Sequence, residues 1–309
     1  MRILVALGGN ALLRRGEPAG ADAQRRNVEA AAVGLAELAS AHEVVLTHGN
    51  GPQVGLLALQ SESYPPVQPY PLDVLDAESE GMVGYLLELA LRNALPEREI
   101  ATVLTETVVD LDDPAFAEPT KPIGPVYTAA EAARLQAERG WILGADGGGR
   151  RRLVPSPEPQ AISELRAIRL LVEAGVLVIC AGGGGIPVAI GAEGTLHGVE
   201  GVVDKDLTAA LLARRLDVDL LLMLTDVDAV YLGWGAADEH PLREAEADQL
   251  RAMGFAAGSM GPKVEAACRF VEGTDKAAAI GALDEAAAIV AGEAGTRIVA
   301  AARSGVRRG

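Results

Sequence analysis

The sequence predicts an α/β protein: three layers, α/β/α, around a mainly parallel open central sheet, with a small inserted subdomain. Three observations carry this. Short apolar runs alternate with stretches of helical spacing along most of the 309 residues, the pattern of strands joined by crossover helices and covered on both faces. Apolar residues make up 49% of the chain and aromatics only 3%, so its core must be Ala, Leu, Val and Ile. One proline-rich interval, Asp112–Pro159, interrupts the alternation and is too long for an ordinary loop.

Taken in order, Ile3–Leu7 is a strand that ends in Gly8-Gly9-Asn10. Asp22–Ala41 has helical spacing, and the strand Val44–Thr47 runs directly into His48-Gly49-Asn50-Gly51-Pro52-Gln53-Val54-Gly55. Glycines let backbone N–H groups approach a ligand closely, and Pro52 suits the first turn of a helix. Pro52–Gln60 is therefore predicted to be a helix whose N-terminus faces an anion. Glu80–Ala94 reads as a helix and Ala101–Val109 as a strand. Inside the interruption, the helix Ala129–Arg139 and the aromatics Tyr127 and Trp141 favour a subdomain over a disordered excursion.

Ile162–Ala174 is predicted helical, stopped by Gly175, with Val176–Cys180 a buried strand. The uncharged stretch Ala174–Ala192 has the length of a membrane span. Its six glycines and Pro187 fit strand, loop, strand instead. Asp206–Leu216 follows as a helix, Leu220–Leu224 as a strand and Pro262–Glu272 as a helix opening on proline.

Composition excludes several functions. A net charge of −16 leaves no broad basic face for nucleic acid. The arginine groups (Arg14-Arg15, Arg25-Arg26, Arg150-Arg151-Arg152, Arg214-Arg215) are scattered and read as solvated faces. Cys180 and Cys268 have neither metal-ligand spacing nor a disulfide framework, which suits a reduced cytoplasm. The N-terminus is too soon interrupted for a signal peptide, and no metal site is predicted from protein side chains.

Only four of the 27 basic residues are lysines. Where arginine serves the surface, a lysine can be wanted for its compact ammonium. Lys121 lies in "TKPIGP", Lys205 in "DKD" and Lys263 in "GSMGPK", whereas Lys276 fits a surface role. For "DKD" three readings stand: a metal-carboxylate pair, a helix N-cap by Asp204, or an aspartate that orients lysines around a phosphate. There is no P-loop, dinucleotide fingerprint or G-x-S-x-G elbow. A phosphate enzyme of this kind would combine glycine loops from several strand ends with lysines from elsewhere.

The motifs "VALGGNALL" (Val5–Leu13), "HGNGPQVG" (His48–Gly55), "PTKPIGP" (Pro119–Pro125), "VVDKD" (Val202–Asp206), "LTDVDAVY" (Leu224–Tyr231) and "GSMGPKVEAA" (Gly258–Ala267) together resemble the carbamate kinases of the amino acid kinase family. "LVPSPEP" and "GEAGTRI" fit as well, so the resemblance runs from Val5 to Ile298. It implies one amino acid kinase-like domain over residues 1–309. Residues 1–215 would form the carbamate and carbamoyl-phosphate lobe, with residues 112–159 as an inserted mobile lid, and residues 216–309 the nucleotide lobe. It further implies reversible phosphoryl transfer between ATP and carbamate, running physiologically toward ATP, with Mg2+ on the nucleotide, in a cytoplasmic homodimer.

By the same resemblance Lys121, Lys205, Asp206 and Lys263 are catalytic, and Gly8, Gly9, Asn10, Gly49, Asn50, Gly51, Gly183 and Gly184 cradle substrate and phosphate. Thr225, Asp226, Val227, Tyr231 and Met260 fall on the nucleotide side. Many family members carry a lysine just before the first glycine pair, where this chain has Ala6. The resemblance implies that Lys121 makes good that charge, and that Ala6→Lys would restore part of the activity of Lys121→Ala. The competing readings are another amino acid kinase acting on a small carboxylate, and a non-catalytic nucleotide-binding regulator of the same fold.

Overall fold

Strand β1 (Arg2–Leu7) is buried from Ile3 onward, as a strand in mid-sheet must be. The computed structural model that shows this describes residues 1–13, 17, 20–64, 68–235, 238–255 and 260–300. Arg14-Arg15, the Gly258-Ser259 that opens "GSMGPK" and the side chain of Asn10 lie outside the described residues.

After β1 come a single helical turn, α1 (Gly9–Leu12), and the long helix α2 (Ala21–Ala41), which returns the chain to β2 (Glu43–His48). Helices α3 (Gly51–Glu62) and α4 (Leu72–Ala94) lead to β3 (Ile100–Val103) and β4 (Glu106–Val109). The interruption contains β5 (Lys121–Tyr127), α5 (Ala129–Arg139), β6 (Ile142–Asp146) and β7 (Gly149–Val154). Thr128 and Glu131 close a reciprocal capping box at the start of α5, and Gly140 ends it in the left-handed region.

The chain re-enters through β8 (Ala161–Ile162), α6 (Leu165–Glu173), β9 (Leu177–Cys180), β10 (Ile186–Ile190) and β11 (Leu196–Gly198). Then follow α7 (Lys205–Arg215), β12 (Leu220–Thr225), the short pair β13 (Tyr231–Leu232) and β14 (His240–Pro241), and β15 (Glu244–Glu246). The last elements are α8 (Ala247–Met253), α9 (Met260–Thr274), β16 (Ala277–Ala282), α10 (Ala286–Ala291) and β17 (Thr296–Val299).

Eight strands form the central sheet in the order β15-β17-β16-β12-β1-β2-β9-β3, parallel except where β16 meets β17. The alternation of side chains along its strands sorts them onto two faces. Leu4, Ala6, Leu221, Met223 and Ile280 pack with α6, α7 and α9 on one face, while Ile3, Val5, Leu7, Leu222 and Ala279 pack with α2, α4 and α10 on the other. That period of two is what makes three layers. A second sheet, β11-β10-β4-β8, flanks the first, and β5-β7-β6 form the small antiparallel sheet of the interruption.

Three expectations are corrected. Ala101–Val109 is not one strand, because β3 and β4 belong to different sheets. The break falls at Thr105, whose hydroxyl donates to the Val103 carbonyl and accepts the Ala181 N–H, while its own N–H goes to buried Glu80. Helix α6 starts at Leu165 rather than Ile162, since Ala161–Ile162 pairs with β4. Helix α4 begins eight residues before the predicted Glu80, at Leu72. Asp76, Ser79 and Glu80 turn inward there, against the pattern by which a polar residue marks a solvent face.

Ala174–Ala192 is strand, turn and strand, and among the described residues no helix is long and apolar enough to cross a membrane.

Candidate active site

Parallel pairing brings the C-terminal ends of neighbouring strands to one edge of the sheet, where ligands of open α/β folds sit. Leu7 stands beside His48 on one side and Leu224 on the other. The turns that leave β1, β2, β9 and β12 therefore emerge together. They open into a cleft of ≈ 670 Å³, lined among others by Gly8, Gly9, Gly49, Asn50, Gly51 and Gly183.

Close approach explains the glycines. A Cβ on Gly49 would lie 2.9 Å from the Gly9 nitrogen, so the first two turns touch backbone to backbone. Gly183, with φ at +71°, is seated against the Asn50 amide. Gly184 does not line the cleft. Its carbonyl accepts the hydroxyls of Thr107 and Thr208 at 2.8 and 2.9 Å, so it anchors the turn from behind. Asn10 sits in the α1 turn, its side chain being outside the described residues.

Positive charge enters from three other places. Helices α7 and α9 lie side by side and present Lys205 and Lys263 from their first turns. Asp206 joins them: its Oδ1 accepts from Lys205 Nζ at 2.5 Å and its Oδ2 from Lys263 Nζ at 2.9 Å. Burial alone would raise the Asp206 carboxyl, but the two ammoniums hold it well below the usual carboxylate range. Burial lowers Lys205, with Asp206 opposing and Lys263 adding to the effect. Lys263, although burial works against its charge, is raised by Asp206.

The third ammonium belongs to the interruption. Lys121 Nζ donates to Asp204 Oδ2 at 2.6 Å across the cleft. Asp204 Oδ1 meanwhile accepts the N–H groups of Asp206 and Leu207, which makes it the N-cap of α7. The N-cap reading of "DKD" holds: Asp204 caps the helix and also pairs with Lys121, while Asp206 pairs with Lys205 and Lys263. The interruption rests on α3, where a Cβ on Gly55 would fall 2.5 Å from Gly124 Cα. It is also tied by the ion pairs Arg139–Glu62 and Arg269–Glu158. Arg152 is not simply solvated: its guanidinium lies 4.5 Å from the Trp141 ring centroid and pairs with Glu200.

On the far side the cleft is lined by Thr225, Asp226, Val227, Tyr231 and Met260, and also by Trp234 and Phe255, which the sequence reading did not single out. Tyr231 and Trp234 meet edge to face at 5.2 Å. In a chain with two tryptophans and three phenylalanines, such residues outside the apolar runs were the available signal.

Below the glycine turns lies a buried polar layer that the sequence did not reveal. Glu80 accepts the N–H groups of Gly182 and Thr105, and burial pushes its carboxyl up to about 8 against those two bonds. Asp76, also buried, is raised by that burial despite the Asn50 amide it accepts. Burial lowers His48 to about 4, so its ring is neutral at pH 7.

Among the described residues no group of three or more His, Cys, Asp or Glu is placed to hold a metal ion. Two cleft carboxylates, Asp204 and Asp206, are already engaged by lysines. This donor set fits a magnesium ion that arrives on nucleotide phosphates, the usual mode for that ion, rather than in a protein cage.

A parallel sheet with glycine turns and lysines converging at its strand ends defines a phosphoryl-transfer site built without a P-loop. The chain belongs to the amino acid kinase family, whose family model matches residues 1–282. Within that family it is similar to the carbamate kinases. The carbamate kinase of Rhizobium meliloti is 54% identical over 96% of this chain and 93% of its own length, and that of Haemophilus influenzae is 52% identical over 96% of both. The solved carbamate kinase of Giardia lamblia bound to AMP-PNP superimposes with a TM-score of 0.89 at 41% identity, covering 97% of this chain and 98% of that one.

Proposed function

We infer that this chain is a carbamate kinase, catalysing ATP + carbamate = ADP + carbamoyl phosphate and working toward ATP. The observation that carries the reading is the buried Lys205–Asp206–Lys263 cluster facing the glycine turns. In the ATP-forming direction a β-phosphate oxygen of ADP attacks the phosphorus of carbamoyl phosphate. The P–O bond to the carbamoyl group breaks, and carbamate leaves with the electron pair. No protein nucleophile is required, so catalysis rests on alignment and charge.

Backbone N–H groups of Gly9, Gly51 and Gly183 hold the moving phosphoryl and its acceptor, with Asn10 and Asn50 beside them. Gly8 and Gly49, whose N–H groups go to the Leu224 and Leu7 carbonyls, line the cleft by close approach of their backbones. Lys205 and Lys263 neutralise charge that builds on the equatorial oxygens, and Asp206 holds the two ammoniums in place. Lys121 approaches from the opposite wall. Residues 1–215 form the carbamate lobe, residues 112–159 the cover that carries Lys121, and residues 216–309 the nucleotide lobe, with Thr225, Asp226, Val227, Tyr231 and Met260 around ADP. Magnesium arriving with the nucleotide would supply further neutralisation of phosphate charge.

An assay of ATP formation from ADP and carbamoyl phosphate tests this reading. Turnover is expected in the wild type, and a loss of about a hundredfold in Lys121→Ala. Among the described residues Lys121 has one charged partner, Asp204, which a phosphoryl group can replace. Ala6 faces the α7 and α9 side of the sheet, so Ala6→Lys would start on the correct face, though from a fully buried position. Wild-type turnover by Lys121→Ala would remove the interruption's lysine from catalysis, and absent turnover in the wild type would overturn the function.

The protein is proposed to be a cytoplasmic homodimer. The unpaired cysteines Cys180 and Cys268 support the compartment. Edge strand β3 and the exposed Tyr85, Leu89 and Leu104 beside it support the dimer. A light-scattering mass of one chain would overturn the dimer.

A further inference from the structure

Carbamate differs from acetate and bicarbonate by one group, its amino group. The glycine N–H groups and the ammoniums are all donors, suited to phosphoryl and carboxylate oxygens. An amino group needs an acceptor, and the cleft carboxylates have other partners: Asp204 and Asp206 are engaged by lysines, and Asp226 accepts from the Thr225 hydroxyl.

Asn50 offers one. It lines the cleft, 3% exposed, at the N-cap of α3. Its Nδ2 donates to Ser79 Oγ at 2.8 Å and to Asp76 Oδ1 at 3.2 Å. The Ser79 hydroxyl proton is itself spent on the Asp76 carbonyl at 3.0 Å. Ser79 Oγ can therefore only accept from Asn50, and a flipped amide would set oxygen against oxygen. The amide orientation follows from this chain of donors. Asn50 Oδ1 accepts no hydrogen bond from the described residues and is not among the sealed, unpartnered atoms of the interior. A Cβ on Gly183 would lie 2.5 Å from that oxygen, so glycine there keeps the amide in place.

We propose that Asn50 Oδ1 accepts the amino group of the substrate's carbamoyl moiety, and that Asp76 and Ser79 are positioning residues that hold this oxygen toward the cleft. Asp76 and Ser79 lie three residues apart on one face of α4, a packed helix of 23 residues, so the acceptor is set before substrate arrives. The site then favours carbamoyl phosphate over acetyl phosphate, in which a methyl group of similar size cannot donate. The inference rests on the carbamate kinase reading.

The test is kcat/KM for ATP formation with carbamoyl phosphate and with acetyl phosphate, in wild type, Asn50→Ala and Ser79→Ala. A group that only cradles phosphate serves both substrates equally, whereas an acceptor for the amino group serves one. The ratio of the two constants is expected to favour carbamoyl phosphate in wild type and to fall about ten- to a hundredfold in Asn50→Ala. Ser79→Ala is expected to lower it in the same direction, and decides the matter by the same ratio should Asn50→Ala not fold. Equal losses on both substrates, or a wild-type ratio near one, would overturn the inference. Wild type inert toward carbamoyl phosphate would overturn the function beneath it.

Discussion

Lys263→Ala and Lys205→Ala are each expected to lower turnover by about a hundredfold or more, the scale of losing a preorganised electrostatic group from a site screened from water. Both ammoniums are nearly enclosed, with 13% and 12% of their side chains exposed, so solvent cannot replace them. Stability should change far less. Asp206 bonds each lysine through a different oxygen, and loss of one leaves its charge matched by the other. The measurement pairs kcat for ATP formation with the urea midpoint of each variant. Near-wild-type kcat in either variant would remove that lysine from the phosphoryl path, and a collapsed midpoint would make its role structural instead.

The scarcity of lysine is what made this cluster legible. In a chain that uses arginine for most of its positive surface, Lys121, Lys205 and Lys263 stood out before any geometry was known. The glycine turns were legible for a related reason: each follows an apolar run, and parallel strands end together. The polar layer was not. Asp76, Ser79 and Glu80 share the face of α4 that carries Leu72, Leu75, Val83 and Leu87, but their polarity reads as solvent, and they are 2% exposed or less. Their partners, Asn50, Gly182 and Thr105, lie 25 or more residues away in sequence. A local pattern cannot announce a bond whose two halves are so far apart. Gly184 shows the opposite failure, since a glycine run looks uniform while Gly183 lines the cleft and Gly184 does not. Thr105 ended a strand that its apolar neighbours extended, because its hydroxyl and N–H were wanted elsewhere.

Asp206→Asn is expected to have the other large effect, on turnover, stability and pH dependence together. The carboxylate keeps a depressed value in the fold, so its contribution to stability is present above the unfolded value, about 3.9, and is lost as pH falls through the folded one. At pH 7 the substitution removes that contribution entirely and leaves two ammoniums facing each other. An uncompensated buried charge of this kind costs about 3–5 kcal/mol, unless a lysine gives up its proton. Lys205 is the one to yield, since burial and Lys263 already lower it while Asp206, with Asp204, opposes them. The basic limb of log(kcat/KM) against pH should therefore move to lower pH in Asp206→Asn, because activity needs the ammonium that now ionises less readily. The urea midpoint should fall together with kcat. Should the variant keep the wild-type basic limb while losing stability, Asp206 would be a packing residue, and the charge on Lys205 would have to be held by Asp204 across the first turn of α7.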